Sequence, residues 1–255
     1  RGWLGDGFLY SPLRAWLNLR AVLLKGNVVL NGLNIEAVMV DLDGTLVDTL
    51  GDFRVALNAM LADLPPPYAS QQVDQATVER LVGKGAEHLI KSVVALFADA
   101  PSEAWYADAW ASYQRHYARV NGQFSEVYPG VLNGLQQLKA RGLRLACLTN
   151  KPTAFAHTLL REKGLDQFFD MTLGGDAFEK KKPDPLPLIK TCAALGTRPE
   201  CTLMIGDSSN DAQAARAAGC PVVLVTYGYN HGAPVRAVDA DGYVDALDEL
   251  FTPAP

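Results

Sequence analysis

Two short acidic clusters hold the residues best suited to chemistry. Asp41-Leu42-Asp43-Gly44-Thr45 places two carboxylates and a permissive glycine together, and Gly206-Asp207-Ser208-Ser209-Asn210-Asp211 places two more. Each follows a short, nearly all-apolar run, so each reads as the loop leaving the carboxyl end of a buried strand, where open α/β sheets bind ligands. The chain turns at Gly44, so Asp41 and Asp43 can address one ligand from different angles. Singly, the first cluster is explained as well by a turn, and the second by a helix cap. Together, four acids converging without partners would repel one another. A hard divalent cation bound through oxygen ligands relieves that repulsion, and Mg²⁺ is the usual choice where carboxylates meet a phosphate.

Two further segments offer groups that bind phosphate. Leu148-Thr149-Asn150-Lys151-Pro152 supplies a hydroxyl, an amide and a helix N-terminus whose N–H groups form an anion site. Lys180-Lys181-Lys182-Pro183-Asp184-Pro185 supplies an ammonium ahead of another helix start. Lys180 and Lys181 read as a solvated surface run, whereas the adjoining prolines fix Lys182 relative to the helix.

These four segments have to be carried by elements that bring them together. Candidate strands are Ala37 to Asp41, Leu143 to Thr149, Met171 to Gly174, Leu203 to Asp207 and Val222 to Thr226, with amphipathic helices between them. Helix ends are legible at Gly142, Pro152, Gly164, Asp184-Pro185 and Gly219. This alternation predicts an α/β fold, a Rossmann-like parallel sheet with helices on both faces. From Phe53 to about Ser125 the period is helical and no strand is evident, which predicts an inserted all-helical cap domain joined by two connections, suited to hinging over a site at the sheet edge. The expected organisation is an extension of uncertain status over 1–33, a core formed by 34–52 and 126–255, and a cap over 53–125.

Composition sets the wider limits. At 255 residues the chain can form one large or two modest domains, and 49% hydrophobic with 20% charged residues is ordinary for a globular protein. With 23 basic and 28 acidic side chains the net charge is −5, with no basic segregation to suggest a nucleic-acid surface. Cys147, Cys192, Cys201 and Cys220 have neither metal-type spacing nor the density of a disulfide scaffold, which fits a reducing cytoplasm. The amino-terminal apolar stretch is interrupted by Arg14, Arg20 and Lys25, so no membrane span or secretory leader is expected.

The four segments, in this order, resemble the motifs of the haloacid dehalogenase superfamily of aspartate-nucleophile phosphatases, over about Glu36 to Phe251. Longer stretches, among them Thr149-Asn150-Lys151-Pro152-Thr153, Gly174-Gly175-Asp176 and Thr226-Tyr227-Gly228-Tyr229-Asn230, are similar to bacterial phosphoglycolate phosphatases within it. The resemblance implies Asp41 as nucleophile and Asp43 as acid and base. It implies Mg²⁺ held by Asp41, the Asp43 main-chain carbonyl and Asp207, with Asp211 binding directly or one layer out. Lys182, Thr149 and the Asn150 N–H would hold the phosphoryl group, Lys182 also counting among the catalytic residues. Gly44 and Lys84 complete the candidate substrate-binding residues, and Lys84, the Gly83 to Gly85 backbone, His88 and Arg54 are candidates for reading a substrate carboxylate. The expected partner is a small phosphate ester, with no nucleic acid and no membrane, and the chain is expected as a monomer or homodimer. The expected activity is hydrolysis of 2-phosphoglycolate. The alternative is another small phosphate ester, such as a sugar phosphate, or a phosphosugar mutase.

Overall fold

The computed structural model describes residues 34–97 and 103–251, so the stretch 1–33 lies outside the described residues. Its first strand, β1 (Ala37–Val40), shows why the core is parallel and doubly covered: all four residues are buried. Val38 and Val40 enter one apolar layer with Leu135, Leu138, Leu159 and Leu160. Ala37 and Met39 enter the opposite layer with Leu188, Cys192, Ala212 and Ala215. The alternation of side chains along a strand thus feeds two cores, each fully buried aliphatic side chain contributing roughly 1.5–3 kcal/mol.

Five more strands complete the sheet: β4 (Arg144–Leu148), β5 (Met171–Leu173), β6 (Thr202–Gly206), β7 (Val222–Val225) and β8 (Gly242–Val244). Their order is β5-β4-β1-β6-β7-β8, and every pairing is parallel. Helices α5 (Val131–Ala140) and α6 (Thr153–Glu162) supply the first layer; α7 (Leu186–Leu195) and α8 (Ser209–Ala218) supply the second. The five expected strands are present, each within a residue or two of its expected ends. β8 was not expected: Gly-Tyr-Val is short, half polar and at the sheet edge, so periodicity does not mark it.

Between β1 and β4 the chain leaves the sheet. Residues Val47–Asp48 (β2) and Glu126–Val127 (β3) form a two-residue antiparallel ladder, a second sheet too short to register in the sequence. Beyond it, α1 (Leu50–Asp63), α2 (Gln75–Leu81), α3 (Ala86–Ala95) and α4 (Glu103–Val120) pack around their own core, including Leu57, Met60, Ile90, Tyr113 and Tyr117. Asp63 at the end of α1 accepts hydrogen bonds from Ser112 Oγ (2.6 Å) and Arg115 (3.3 Å) and meets His116 Nε2 at 2.8 Å, fastening α1 to α4. Where the segment rejoins the sheet, the buried Asp52 carboxylate accepts from the N–H groups of Gly122 and Phe124, both at 2.7 Å. Lys163 Nζ donates to the Gly122 and Ser125 carbonyls at 2.8 and 2.6 Å. Among the described residues, no helix is long and apolar enough to cross a membrane.

Candidate active site

β1 sits between β4 and β6 because the connections on its two sides run in opposite senses, and such a reversal opens a crevice at the carboxyl ends of the strands. β1 ends at Val40 and releases Asp41; β6 ends at Gly206 and releases Asp207; β4 ends at Leu148 and releases Thr149. Gly44 brings the first loop against Asp207. At φ +82°, a Cβ there would lie 2.4 Å from Asp207 Oδ2, so only glycine permits the approach. Gly228 does the same from the far side, where a Cβ would lie 2.1 Å from the Asp207 Cβ.

One oxygen from each of Asp41, Asp207 and Asp211 lies within 4.8 Å of the others. Asp41 Oδ1 accepts from the Leu42 N–H (2.7 Å) and stands 3.0 Å from Lys182 Nζ. Asp207 Oδ2 accepts from the Tyr229 N–H (2.7 Å). Asp211, near the start of α8, accepts from Ser208 N (3.2 Å) and Ser208 Oγ (2.8 Å) with Oδ2 and faces Lys182 Nζ at 2.7 Å with Oδ1. Burial pushes the Asp41 carboxyl up to about 7; Lys182 pulls it down, and Asp211 and Asp43 push it up. Burial, reinforced by Asp211 and Asp41, also holds Asp207 well above the usual carboxylate range. Burial alone would lower the Lys182 ammonium, but Asp211 and Asp41 outweigh it and hold it above the usual lysine range.

Lys182 is placed by three further bonds. Its ammonium donates to the Leu148 carbonyl at 2.8 Å. Its main-chain N–H donates to Asn150 Oδ1 (3.0 Å), and its carbonyl accepts from Asn150 Nδ2 (2.9 Å). The Asn150 side chain, which also donates to the Gly83 carbonyl at 3.0 Å, therefore ties the second motif to the third. Lys180 and Lys181 are exposed, as a solvated run should be.

Asp43 departs from the expected four-acid cluster. Its Oδ1 accepts from Thr49 Oγ1 (2.9 Å) and pairs with Lys151 Nζ at 2.7 Å. Lys151 is buried, with its ammonium 4.6 Å from the Phe53 ring centroid and 5.0 Å from that of Tyr117. A residue-type reading misses this pair because the partners are 108 positions apart; the available signal was a lysine two residues after the motif threonine at a strand end.

Asp41, Asp43, Asp207, Thr149, Asn150 and Lys151 line one cleft, closed from above by Phe53, Val82, Gly83, Gly85, Leu89, Tyr113 and Tyr117. Its empty space is about 640 Å³, open solvent at the mouth included. Two expected substrate contacts are placed elsewhere. Lys84 is exposed and is not among the lining residues, because Gly83 (φ +105°) and Gly85 (φ +89°) turn the backbone to the cleft around it. Gly44 is also outside the lining and its N–H donates to the Val47 carbonyl at 2.9 Å, so it acts through close approach. Arg54 and His88 are exposed and outside the lining as well.

Sequence reasoning also missed Tyr229 and His231. Tyr229 accepts from the Thr49 N–H (2.7 Å) and donates to Asp48 Oδ1 (2.9 Å), linking the loop behind Asp207 to the start of α1. His231 Nδ1 lies 2.8 Å from the Val82 carbonyl, which only accepts, so Nδ1 is the donor. Burial lowers the His231 pKa.

A model described as haloacid dehalogenase-like hydrolase matches residues 35–219. A protein of Thiobacillus denitrificans named phosphoglycolate phosphatase is 46% identical over 218 residues, covering 85% of this chain and 94% of its own. The protein of that name from Nitrosospira multiformis is 44% identical over 218 residues, with the same coverage of 85% and 94%. The crystal structure of a predicted phosphoglycolate phosphatase from Haemophilus somnus superposes with a TM-score of 0.80 at 33% identity, covering 86% of this chain and 97% of that one.

Proposed function

The chain belongs to the haloacid dehalogenase-like hydrolases, and from that premise we propose that it is a Mg²⁺-dependent phosphatase that converts 2-phosphoglycolate to glycolate and phosphate. The observation that carries the reading is the meeting of Asp41 and Asp207, which line the cleft, with Asp211 and the Lys182 ammonium packed directly behind them. The named relatives, matched over most of their length, supply the substrate.

The donor set fits Mg²⁺: three hard carboxylate oxygens within 4.8 Å of one another, two of them on groups whose pKa burial and the neighbouring carboxylates raise, so a cation there offsets their repulsion. Asp41, Asp207 and the Asp43 main-chain carbonyl would hold the ion. Asp211, whose oxygens serve Ser208 and Lys182, would support it from behind. Once bound, the ion would neutralise phosphoryl charge and keep the carboxylates ionised.

In the proposed reaction an Asp41 carboxylate oxygen attacks phosphorus as the bond to the ester oxygen breaks, giving an aspartyl-phosphate. Asp43, one turn of chain away, donates the proton taken up by the departing alkoxide. It then accepts a proton from the water that attacks the aspartyl-phosphate, which releases phosphate and restores Asp41. Lys182, the Thr149 hydroxyl and the Asn150 N–H would hold the phosphoryl oxygens and stabilise charge in the transition state. The four helices α1 to α4 act as a cap over residues 53–125, with the Asp52 and Lys163 contacts at its return connection. The test is phosphate release from a panel of small phosphate esters with and without Mg²⁺, with Asp41→Asn as control. Turnover of 2-phosphoglycolate that requires both Mg²⁺ and Asp41 supports the reading; metal-independent turnover, or full activity in the variant, overturns it.

A further inference from the structure

Lys151 faces the cleft, yet the reaction just described gives it no task. Lys182 stands at Asp41, the attacking group, whereas Lys151 stands at Asp43, the group that meets the leaving oxygen. Its ammonium therefore lies on the leaving-group side, one hydrogen bond of 2.7 Å beyond the proposed acid. The side chain is 2% exposed, and a buried charge is costly unless paired. Asp43 supplies one partner and the Phe53 and Tyr117 rings supply two π faces, while an ammonium has three N–H donors to place.

A second observation points to a ligand at this end of the cleft. Tyr117, which is 1% exposed and lines the cleft, stacks near Tyr113 and Phe53, both at 5.4 Å, and its hydroxyl finds no hydrogen-bond partner among the described residues. Around it the wall is apolar, with Val82, Leu89 and Phe155. The other cations considered for a substrate carboxylate, Arg54 and Lys84, are exposed and outside the lining.

We propose that Lys151 is the specificity-determining residue of the cleft: its ammonium pairs with a second anionic group, a carboxylate close to the ester oxygen, on the leaving portion of the phosphate ester, and the Tyr117 hydroxyl donates to the same group. This inference rests on the phosphatase reading above and deepens it. With no substrate present Asp43 satisfies the ammonium; in the complex the carboxylate shares or replaces that contact. Esters with a neutral leaving group offer the ammonium nothing and set their polar atoms against the aromatic wall.

The experiment compares kcat/KM for 2-phosphoglycolate, 2-phospholactate and ethyl phosphate in the wild type and in Lys151→Met, which keeps the unbranched stem on the Phe53 and Tyr117 rings. The expected result is a wild-type preference for the carboxylate esters that falls by about 100-fold in the variant, the scale of removing one partner from a buried charge pair. A merely structural role would depress all three esters alike and leave the ratio in place, which would overturn the inference while the phosphatase reading stands. A wild-type preference for 2-phospholactate over 2-phosphoglycolate, with the preference of both over ethyl phosphate lost on substitution, would uphold the inference and overturn the named substrate. Wild-type turnover of ethyl phosphate equal to that of both carboxylate esters would overturn both. If Lys151→Met fails to fold, glycolate inhibition is read in the wild type and in Tyr117→Phe. Competitive inhibition by glycolate, absent with ethanol and weakened in Tyr117→Phe, supports the site. Equal inhibition by the two alcohols contradicts it.

Discussion

Replacing Lys182 with Met removes an ammonium that is 2% exposed and sits 3.0 Å from Asp41 Oδ1 and 2.7 Å from Asp211 Oδ1. Breaking a buried pair from one side costs about 3–5 kcal/mol, because the remaining charges are left without compensation. The pH dependence follows from Asp41, which burial pushes up to about 7 from the ordinary 3.8 although Lys182 pulls it down. A carboxyl raised in the folded state contributes stability that is complete below its unfolded pKa and is lost as pH rises to the folded value, so the Asp41 contribution to the metal-free wild type is lost from about pH 4 to pH 7 and then levels off. Without Lys182 the carboxyl titrates higher still, and the variant keeps losing stability past pH 7. If the variant's Asp41 stays protonated to pH 8, integrating the linkage relation from pH 6 to 8 widens the gap by about 1.4 kcal/mol. The assay is urea unfolding of both proteins in EDTA at pH 6 and pH 8. A variant as stable as wild type at pH 8, or a gap that narrows with rising pH, would refute the reasoning. Phosphate release by the variant should fall roughly 100- to 1000-fold, the usual loss on deleting one transition-state donor.

Other consequences are open to direct measurement. The apparent Mg²⁺ affinity should rise from pH 6 to pH 8, by up to about tenfold per unit for each displaced proton, because metal binding releases protons favoured by burial on Asp41 and Asp207; calorimetric titrations at pH 6 and 8 check this, and equal affinities would contradict it. Gly44→Ala places a methyl 2.4 Å from Asp207 Oδ2 at a φ of +82°; it should raise the Mg²⁺ concentration needed for half-activation by roughly tenfold, in line with disturbing the support of a ligand. Asp52→Ala strands the Gly122 and Phe124 N–H groups and should cost about 2–4 kcal/mol in urea unfolding, whereas an unchanged midpoint would show that the carboxylate does not fasten the return connection.

The parts of the fold that were legible are those where burial dictates composition. β1 and β6 are covered on both faces, so they read as apolar runs broken abruptly by Asp41 and Asp207, and the break itself marks the carboxyl edge. Lys182 was legible because it stands between a surface run and a helix start. What stayed hidden depends on distant partners. Nothing local to Asp43 announces that its carboxylate turns to Lys151 instead of joining the other three acids. Lys84 was a plausible cation in a glycine turn, but the turn presents its backbone to the cleft and leaves the side chain exposed. Tyr229 and His231 come from a short turn in which Asn230 and His231 have φ of +35° and +55°, values uncommon outside glycine that a linear sequence does not mark even at Asn and His, which adopt them more readily than other side chains.

The central claim is that Asp41 forms a covalent bond to phosphorus while Mg²⁺ and Lys182 hold the phosphoryl group. Acid quenching during turnover of 2-phosphoglycolate, followed by borohydride reduction and peptide mass spectrometry, tests it most directly. Reduction of an aspartyl-phosphate yields homoserine at the modified position. The account predicts homoserine at position 41, only with Mg²⁺ and substrate both present, and none in Asp41→Asn. Turnover with an unmodified Asp41 peptide, or homoserine at position 43, would contradict it.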